Sequence, residues 1–123
     1  MFGIEYYELP NGDKPVKTFL DSLNTKMRVK ALGSIEILSE FGNRLREPYS
    51  KAIDGGLFEL RIKFASDTTR IFYFFVVGSK IVLTNGFIKK TQKTPPSEIA
   101  LARKYKEDYE RRRKDERPQG VSE

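Results

Sequence analysis

The chain has 123 residues, a formal net charge of +6, 38% hydrophobic residues, and neither cysteine nor histidine. Without these two residue types it cannot form disulfides, thiolate metal sites, cysteine nucleophiles or Ser-His-Asp triads. The length suits one domain. The positive charge favours an anionic partner such as RNA, DNA, an acidic protein or a membrane surface, with a basic surface that only aids solubility as the alternative.

The first third of the sequence predicts a strand followed by two helices. Residues 2–9 are rich in aromatic and β-forming residues, and residues 10–13 form a turn. Pro15 suits the first turn of a helix. Two apolar stripes with helical spacing follow, separated at Asn24-Thr25, and Gly42 is a typical helix stop. The stripes, which we expect to be core, are Val16, Phe19, Leu20, Leu23 and Met27, then Ala31, Leu32, Ile35, Leu38 and Phe41.

The centre of the sequence, residues 57–93, predicts three consecutive strands after a loop over residues 44–56. Residues 58–64 alternate between apolar and charged side chains, which indicates a half-exposed strand. Residues 70–77 are apolar at nearly every position, so both faces of that strand should be covered. Gly78-Ser79 predicts a two-residue turn into a third strand over residues 80–88.

A last helix is predicted after Pro95-Pro96, apolar on one side at first and almost entirely charged from Lys106 onward. The element order is therefore β-α-α-β-β-β-α. It predicts an α+β fold, one small domain over residues 1–117 with a mostly antiparallel sheet packed against helices, and a disordered tail over residues 118–123. The sequence has no signal-peptide pattern and no apolar run long enough to span a membrane, so we expect a cytoplasmic protein.

Six cations surround the central strands, and they suggest a site for an anion. Residues two apart on a strand share a face, a following strand can approach them, and a lysine-rich segment leaves the third strand. Arginine can hold phosphate oxygens in a bidentate manner, and a lysine crowded by other cations has a lowered pKa and can transfer protons. The six residues are Arg61, Lys63, Arg70, Lys89, Lys90 and Lys93.

A structural interpretation of the same residues remains open. Glu59 shares a face with Arg61 and could pair with it, Arg70 could cover an edge, and residues 89–93 could be a solvated turn. The charged run over residues 111–114 could contact RNA, although a solvated helix end explains it as well. The sequence has no Gly-rich phosphate loop and no spaced carboxylate set that would bind a metal. We therefore expect no cofactor and metal-free chemistry.

Three segments resemble the RelE/ParE toxin superfamily, in particular its HigB-like, phage-derived branch. They are LFELRIKF, TTRIFYFF and IVLTNGFIKKTQKTPPSEI, and the resemblance extends over about residues 4–109. It implies a RelE-like fold and a bacterial type II toxin, a ribosome-dependent endonuclease of translated mRNA. In this chemistry the 2′-hydroxyl attacks the adjacent phosphate and leaves a 2′,3′-cyclic phosphate, and no metal is required.

The resemblance also implies roles for individual residues. Arg61 and Lys63 match cation positions on a strand face, and Arg70 matches a phosphate-binding arginine. Lys90 or Lys93 stands where related toxins have a later arginine. The tyrosine that follows the basic turn in those toxins is missing at that place, and the nearest one is Tyr105. We therefore predict four catalytic residues, Arg61, Lys63, Arg70 and Lys90, and three RNA-binding residues, Lys89, Lys93 and Tyr105.

The resemblance implies partners as well: the ribosome, mRNA and a cognate antitoxin, often a helix-turn-helix, HigA-like protein, with which the toxin could form a heterotetramer. We favour a lysine of lowered pKa over Tyr105 as the general base. Two other functions stay open. One is a ParE-like inhibitor of gyrase without nuclease activity, against which the cations argue. The other is a non-catalytic module whose basic surface binds an acidic partner.

Overall fold

A computed structural model of the protein describes residues 1–90 and 92–115. Within these residues the fold is α+β, as predicted, with three α-helices and one five-stranded, mostly antiparallel sheet. None of the described helices is long and apolar enough to cross a membrane. The predicted tail, residues 118–123, lies outside the described residues. The elements are β1 (Gly3–Tyr6), α1 (Pro15–Ser22), α2 (Thr25–Phe41), β2 (Ser50–Ala52), β3 (Phe58–Phe64), β4 (Asp67–Val76), β5 (Lys80–Lys89) and α3 (Pro96–Asp115).

The strand order in the sheet is β1-β5-β4-β3-β2. The strands β2 to β5 pair antiparallel with their neighbours, whereas β1 pairs parallel with β5, Gly3 opposite Lys80. The prediction of a continuous loop over residues 44–56 was wrong at β2, because these three residues pair with β3. So short a strand has no periodic pattern of its own, since its hydrogen bonds come from a neighbour rather than from local sequence.

The sheet separates two hydrophobic cores. One core lies between the sheet and the first two helices and includes Leu20, Ile35 and Leu60. The other lies under α3 and includes Phe72, Phe87 and Ala102. Because β4 contributes Ile71 to one core and Phe72 to the other, both of its faces are covered, as the continuous apolar run predicted.

The predicted helix boundaries are largely confirmed. The side chain of Asn24 accepts a hydrogen bond from the backbone N–H of Met27 and caps α2, which explains the break between the two helices. Gly42 ends α2 with a φ of 52°, and a Cβ at this position would collide with the ring of Phe2. A three-residue loop, residues 77–79, joins β4 to β5 instead of the predicted two-residue turn.

Two residues of the second predicted stripe are not core. Leu32 is 46% exposed and Phe41 is 44% exposed, whereas Ala31, Ile35 and Leu38 are buried. The apolar pattern of α2 is therefore wider than the face that the sheet covers.

Candidate functional site

Strand register places five cations on the sheet face that α3 covers in part. Directly opposed residues in an antiparallel pair point to the same side. Arg61 lies opposite Arg70, and Thr68 lies opposite both Lys63 on β3 and Lys89 on β5. On the other edge of β3, Lys51 lies opposite Glu59, two residues before Arg61. We call these five cations, Lys51, Arg61, Lys63, Arg70 and Lys89, the cation patch.

An irregularity in β5 brings Lys89 into this patch. Ile71 pairs with Gly86 while Tyr73 pairs with Leu83, so β5 carries one extra residue between these two positions. Such a bulge shifts the alternation of side chains beyond it. Val82 packs under α3 before the bulge and Phe87 packs there after it. Lys89, two residues beyond Phe87, therefore shares the face of Arg70.

A single buried carboxylate lies within the cation patch. Glu59 is 1% exposed. Arg61 Nε donates a hydrogen bond to Glu59 Oε1 at 3.3 Å, and Arg70 Nε lies 3.6 Å from Glu59 Oε2. Thr94 Oγ1 donates to the same Oε2 atom at 2.7 Å. Glu59 thus stabilises two arginines that lie side by side and would otherwise repel each other across the strands. Through Thr94 it also anchors the segment that follows β5.

The guanidinium of Arg70 is buried but only partly satisfied. Arg70 is 8% exposed, and its Nε is one of two buried side-chain atoms in the described residues that lack a hydrogen-bond partner. The 3.6 Å separation from Glu59 is too long for a hydrogen bond but short enough for charge attraction. Burial lowers the pKa of Arg70, and Arg61 acts in the same direction. Arginine nevertheless stays charged in proteins. The hydrogen-bonding groups around this buried cation therefore satisfy it only in part.

The charges of the cation patch act on Lys89. Its pKa is lowered by burial, and the neighbouring charges of Arg70, Arg61 and Lys51 lower it further, while Glu59 opposes them. A lowered pKa increases the fraction of neutral amine near neutral pH. Lys89 therefore matches the expected lysine crowded by cations, while the predicted roles of Lys89 in RNA binding and of Lys90 in catalysis remain predictions.

Beside the two arginines lies an open cavity of about 540 Å³, lined by Lys63, Thr68, Lys89, Lys90 and Gln92. Lys63 and Lys90 are exposed, so both can reach a ligand in this cavity. Lys93 is also exposed and follows β5. Because Thr94 is bound to Glu59, the chain around Lys93 stays close to the patch. Thr91, between these lysines, is outside the described residues.

Tyr105 is not brought to the patch. Its ring stacks on Tyr7, with the ring centroids 4.5 Å apart, and it packs against the core under α3. Burial raises its pKa, and the charge of Glu98 raises it further, so its phenolate is disfavoured. Its predicted contact with RNA remains a prediction.

Three features of the site were not predicted from the sequence. Lys51 belongs to the unpredicted strand β2, and only its register opposite Glu59 places it on the correct face. Thr94 contacts Glu59 from 35 positions farther along the chain, which no local pattern signals. Glu59 itself was visible as a neighbour of Arg61, but its burial and its second arginine were not.

The end of α3 carries a second group of charges, arranged differently. Asp108 Oδ1 lies 2.6 Å from Arg111, and its Oδ2 accepts hydrogen bonds from Tyr7 and Arg112 at 2.5 and 2.9 Å. The hydrogen bond from Tyr7 and the charge of Arg112 lower the pKa of Asp108. Lys106 pairs with Glu110 at 2.8 Å. In the described part of the chain, no group of three or more Asp or Glu residues is placed to hold a metal ion.

Comparison with known proteins identifies the family. No curated protein matches the chain. A family model described as phage-derived protein Gp49-like (DUF891) matches residues 18–107, which include every element from the middle of α1 to the middle of α3 and all five members of the cation patch. Since this match covers most of the sequence, the chain belongs to the Gp49-like family of phage-derived proteins.

Proposed function

We propose that this protein is the toxin of a type II toxin-antitoxin pair and that it cleaves translated mRNA on the ribosome. Two findings support the proposal: membership of the phage-derived Gp49-like family and the resemblance of residues 4–109 to the HigB-like branch of RelE toxins. The observation that carries it is the cross-strand pair Arg61 and Arg70, held by one buried carboxylate and surrounded by lysines. A patch with so many more cations than acids is suited to a phosphodiester.

In this mechanism the arginines hold the scissile phosphate. Arg70 is fixed by burial and by Glu59, and it presents the outer part of its guanidinium to the non-bridging oxygens. Arg61 lies directly across the strand and can reach the same group. Fixed donors of this kind stabilise the charge that develops in the transition state, and they require no reorganisation during the reaction.

Proton transfer falls to the lysines at the cavity. The 2′-hydroxyl must lose a proton as it attacks phosphorus, and the 5′-oxygen must gain one as it leaves. Lys89, with its lowered pKa, suits the first role. Lys63 and Lys90 line the same cavity and suit stabilisation or protonation of the leaving oxygen. The products are a 2′,3′-cyclic phosphate and a 5′-hydroxyl, and no step requires a metal ion.

The proposal includes the partners that such a toxin needs. We expect it to act in the cytoplasm on ribosomes, and to be neutralised by a cognate antitoxin, for example a HigA-like helix-turn-helix protein that joins it in a heterotetramer. A gyrase inhibitor or a non-catalytic binding module would have the same fold but would cut no RNA.

The test is to map RNA 5′ ends in a purified translation system with and without ribosomes. New ends within translated frames, appearing only with ribosomes and carrying 5′-hydroxyls, are the expected result. Intact mRNA together with inhibited gyrase would replace the proposal with the ParE-like function. Intact mRNA without any effect on gyrase would leave a binding module.

A further inference from the structure

One face of α2 is apolar and largely exposed in the described chain, although the guanidinium of Arg44 lies over the Phe41 ring, 5.5 Å from its centroid. Val29, Ile37 and Phe41 are 64%, 45% and 44% exposed. Together with Gly33 they occupy every fourth position of the helix. Residues at this spacing form a continuous ridge on a helix surface, the type of ridge that packs most often against another helix. We call Val29, Gly33, Ile37 and Phe41 the α2 ridge.

The glycine in the middle of this ridge has no role in the fold that would require it. Gly33 is exposed, and a Cβ built on it would meet no atom within 4 Å. Glycine inside a helix is unfavourable relative to alanine. Its advantage is that the backbone of another molecule can approach closely where the side chain is missing. The position of Gly33 therefore points to a partner that crosses the helix there.

The charges beside the ridge are distributed symmetrically about Gly33. Lys26 lies seven residues before it and Glu40 seven residues after it, while Lys30 and Glu36 lie three residues to either side. All four side chains are exposed, and none forms a salt bridge with another residue in the described part of the chain. Within α2, basic residues therefore flank the N-terminal half of the ridge and acidic residues flank the C-terminal half, while Arg44 follows the helix.

We propose that the α2 ridge binds a second copy of this chain, with the two helices antiparallel and crossing at Gly33. A two-fold axis at this point places the basic half of one helix against the acidic half of the other. Lys26 then faces the second copy's Glu40, and Val29 packs near the second copy's Ile37. A parallel arrangement would instead bring like charges together. The self-complementary charge pattern is the reason for choosing a second copy over an unrelated partner.

The predicted association is weak and independent of the proposed nuclease site. A standard stable interface buries about 800 Å² on each partner. One helix face offers less, so the dimer should depend on concentration. The α2 ridge lies on the helix that packs against one face of the sheet, while the cation patch lies on the opposite face. Dimerisation therefore leaves the patch open, and the two proposals can fail separately.

Sedimentation of the purified full chain over a range of concentrations tests the proposal, with Gly33→Leu as the decisive variant. We expect the wild type to shift from monomer to dimer and Gly33→Leu to stay monomeric, because the added side chain keeps the helices apart. Non-specific hydrophobic association would respond in the opposite way, since Leu enlarges the apolar surface. Glu40→Lys should also weaken the dimer, and adding Lys26→Glu should restore it.

A cysteine crosslink provides a second measurement, which is simple to interpret because the chain has no other cysteine. Two copies of Gly33→Cys meet at the two-fold axis, within the separation that a disulfide bridges, so mild oxidation should give a covalent dimer. Val77→Cys is the control, since Val77 is 93% exposed but lies in the loop between β4 and β5. A wild type that is monomeric at every concentration, or equal crosslinking of both variants, would overturn the proposal. Binding of a different protein to a monomeric ridge would overturn it as well.

Discussion

The cation patch and the end of α3 are both rich in basic residues, but their charges are balanced in different ways. At the end of α3, Asp108 forms ion pairs with Arg111 and Arg112, and Glu110 forms an ion pair with Lys106. The patch has five cations and one buried carboxylate, Glu59, which pairs with Arg61 and Arg70, and the exposed Glu47 lies 3.8 Å from Arg61. Sequence composition makes the α3 end look like the stronger candidate for RNA, because it contains the run Arg111-Arg112-Arg113-Lys114.

The difference shows that the number of basic residues is a poor guide to an anion site. Exposed cations that have nearby acids are already compensated, and such surface pairs contribute little to stability or to binding. Cations that are partly buried and outnumber their acids raise the energy of the free protein, and an anion that binds there relieves the repulsion. The following predictions test this contrast between the two regions, beginning with the largest effect.

Replacement of Arg70 should have the largest effect. Arg70→Ala should reduce ribosome-dependent cleavage by about 10²- to 10³-fold, as expected for the loss of one fixed donor to a transition-state charge. Arg112→Ala, which removes a partly buried arginine with an acidic partner at the α3 end, should leave the cleavage rate unchanged. Single-turnover cleavage on programmed ribosomes measures both. Equal loss in the two variants, or full activity of a folded Arg70→Ala protein, would show that the patch is not the site.

Removal of Glu59 should destabilise the fold. Glu59→Ala leaves Arg61 and Arg70 without their shared carboxylate, and loss of one partner of a buried ion pair costs about 3 kcal/mol of unfolding free energy. Glu59→Gln can still accept the hydrogen bond from Thr94, so it should lose less. Urea denaturation measures the difference. If Glu59→Ala is as stable as the wild type, Glu59 does not hold the arginines together as described.

Removal of Asp108 should cost less and should depend on pH. Its pKa in the folded protein lies below the ordinary value of 3.8, because Tyr7 and Arg112 stabilise the carboxylate. The charged form therefore contributes stability at neutral pH, about 1 kcal/mol for a hydrogen bond to a charged group in a partly exposed pair. This contribution is fully present above pH 3.8 and is lost as the pH falls through the lowered value.

Denaturation of Asp108→Asn and wild type at pH 7 and under acidic conditions checks this expectation. The stability difference should be present at pH 7 and should shrink in acid. A difference that does not change with pH would mean that the charge of Asp108 is not the stabilising feature.

The smallest effect concerns Lys51 and the pH dependence of cleavage. The positive charge of Lys51 is one of the neighbouring charges that lower the pKa of Lys89. Lys51→Gln should raise the pKa of Lys89, so the rise in cleavage rate with pH should move to higher pH. Lys104→Gln, an exposed cation on α3, is the control. An unchanged profile in Lys51→Gln would argue against Lys89 as the proton acceptor.

The sequence predicted the parts of this protein that depend on local pattern. Two patterns predicted the central strands: the alternation over residues 58–64 and the apolar run from Arg70 onward. The alternation also placed Glu59, Arg61 and Lys63 on one face of the strand. Asn24 and Gly42 gave the helix ends because capping and positive φ are local properties. Each of these features can be recognised within a few residues of sequence.

The rest of the site depends on contacts between distant segments. A bulge in β5 moves Lys89 to the face of Arg70, and β2 exists only because it pairs with β3. Neither the bulge nor the short strand can be recognised from the hydrophobic periodicity of the sequence. The exposure of Leu32 was not predicted for a related reason. Apolar residues at helical spacing show that one face of the helix is apolar, but they do not show what covers that face.

The parallel pairing of β1 with β5 has a consequence for synthesis of the protein. Gly3–Tyr6 leaves the ribosome early, yet its partner Lys80–Leu83 follows only after all the other strands have been made. Contacts so distant in sequence form slowly and late in folding. The same late strand carries Lys89, so the patch and the edge of the sheet are completed together. We therefore expect a growing chain to complete the cation patch only after β5 has been made, so the proposed site is absent while the earlier strands emerge from the ribosome.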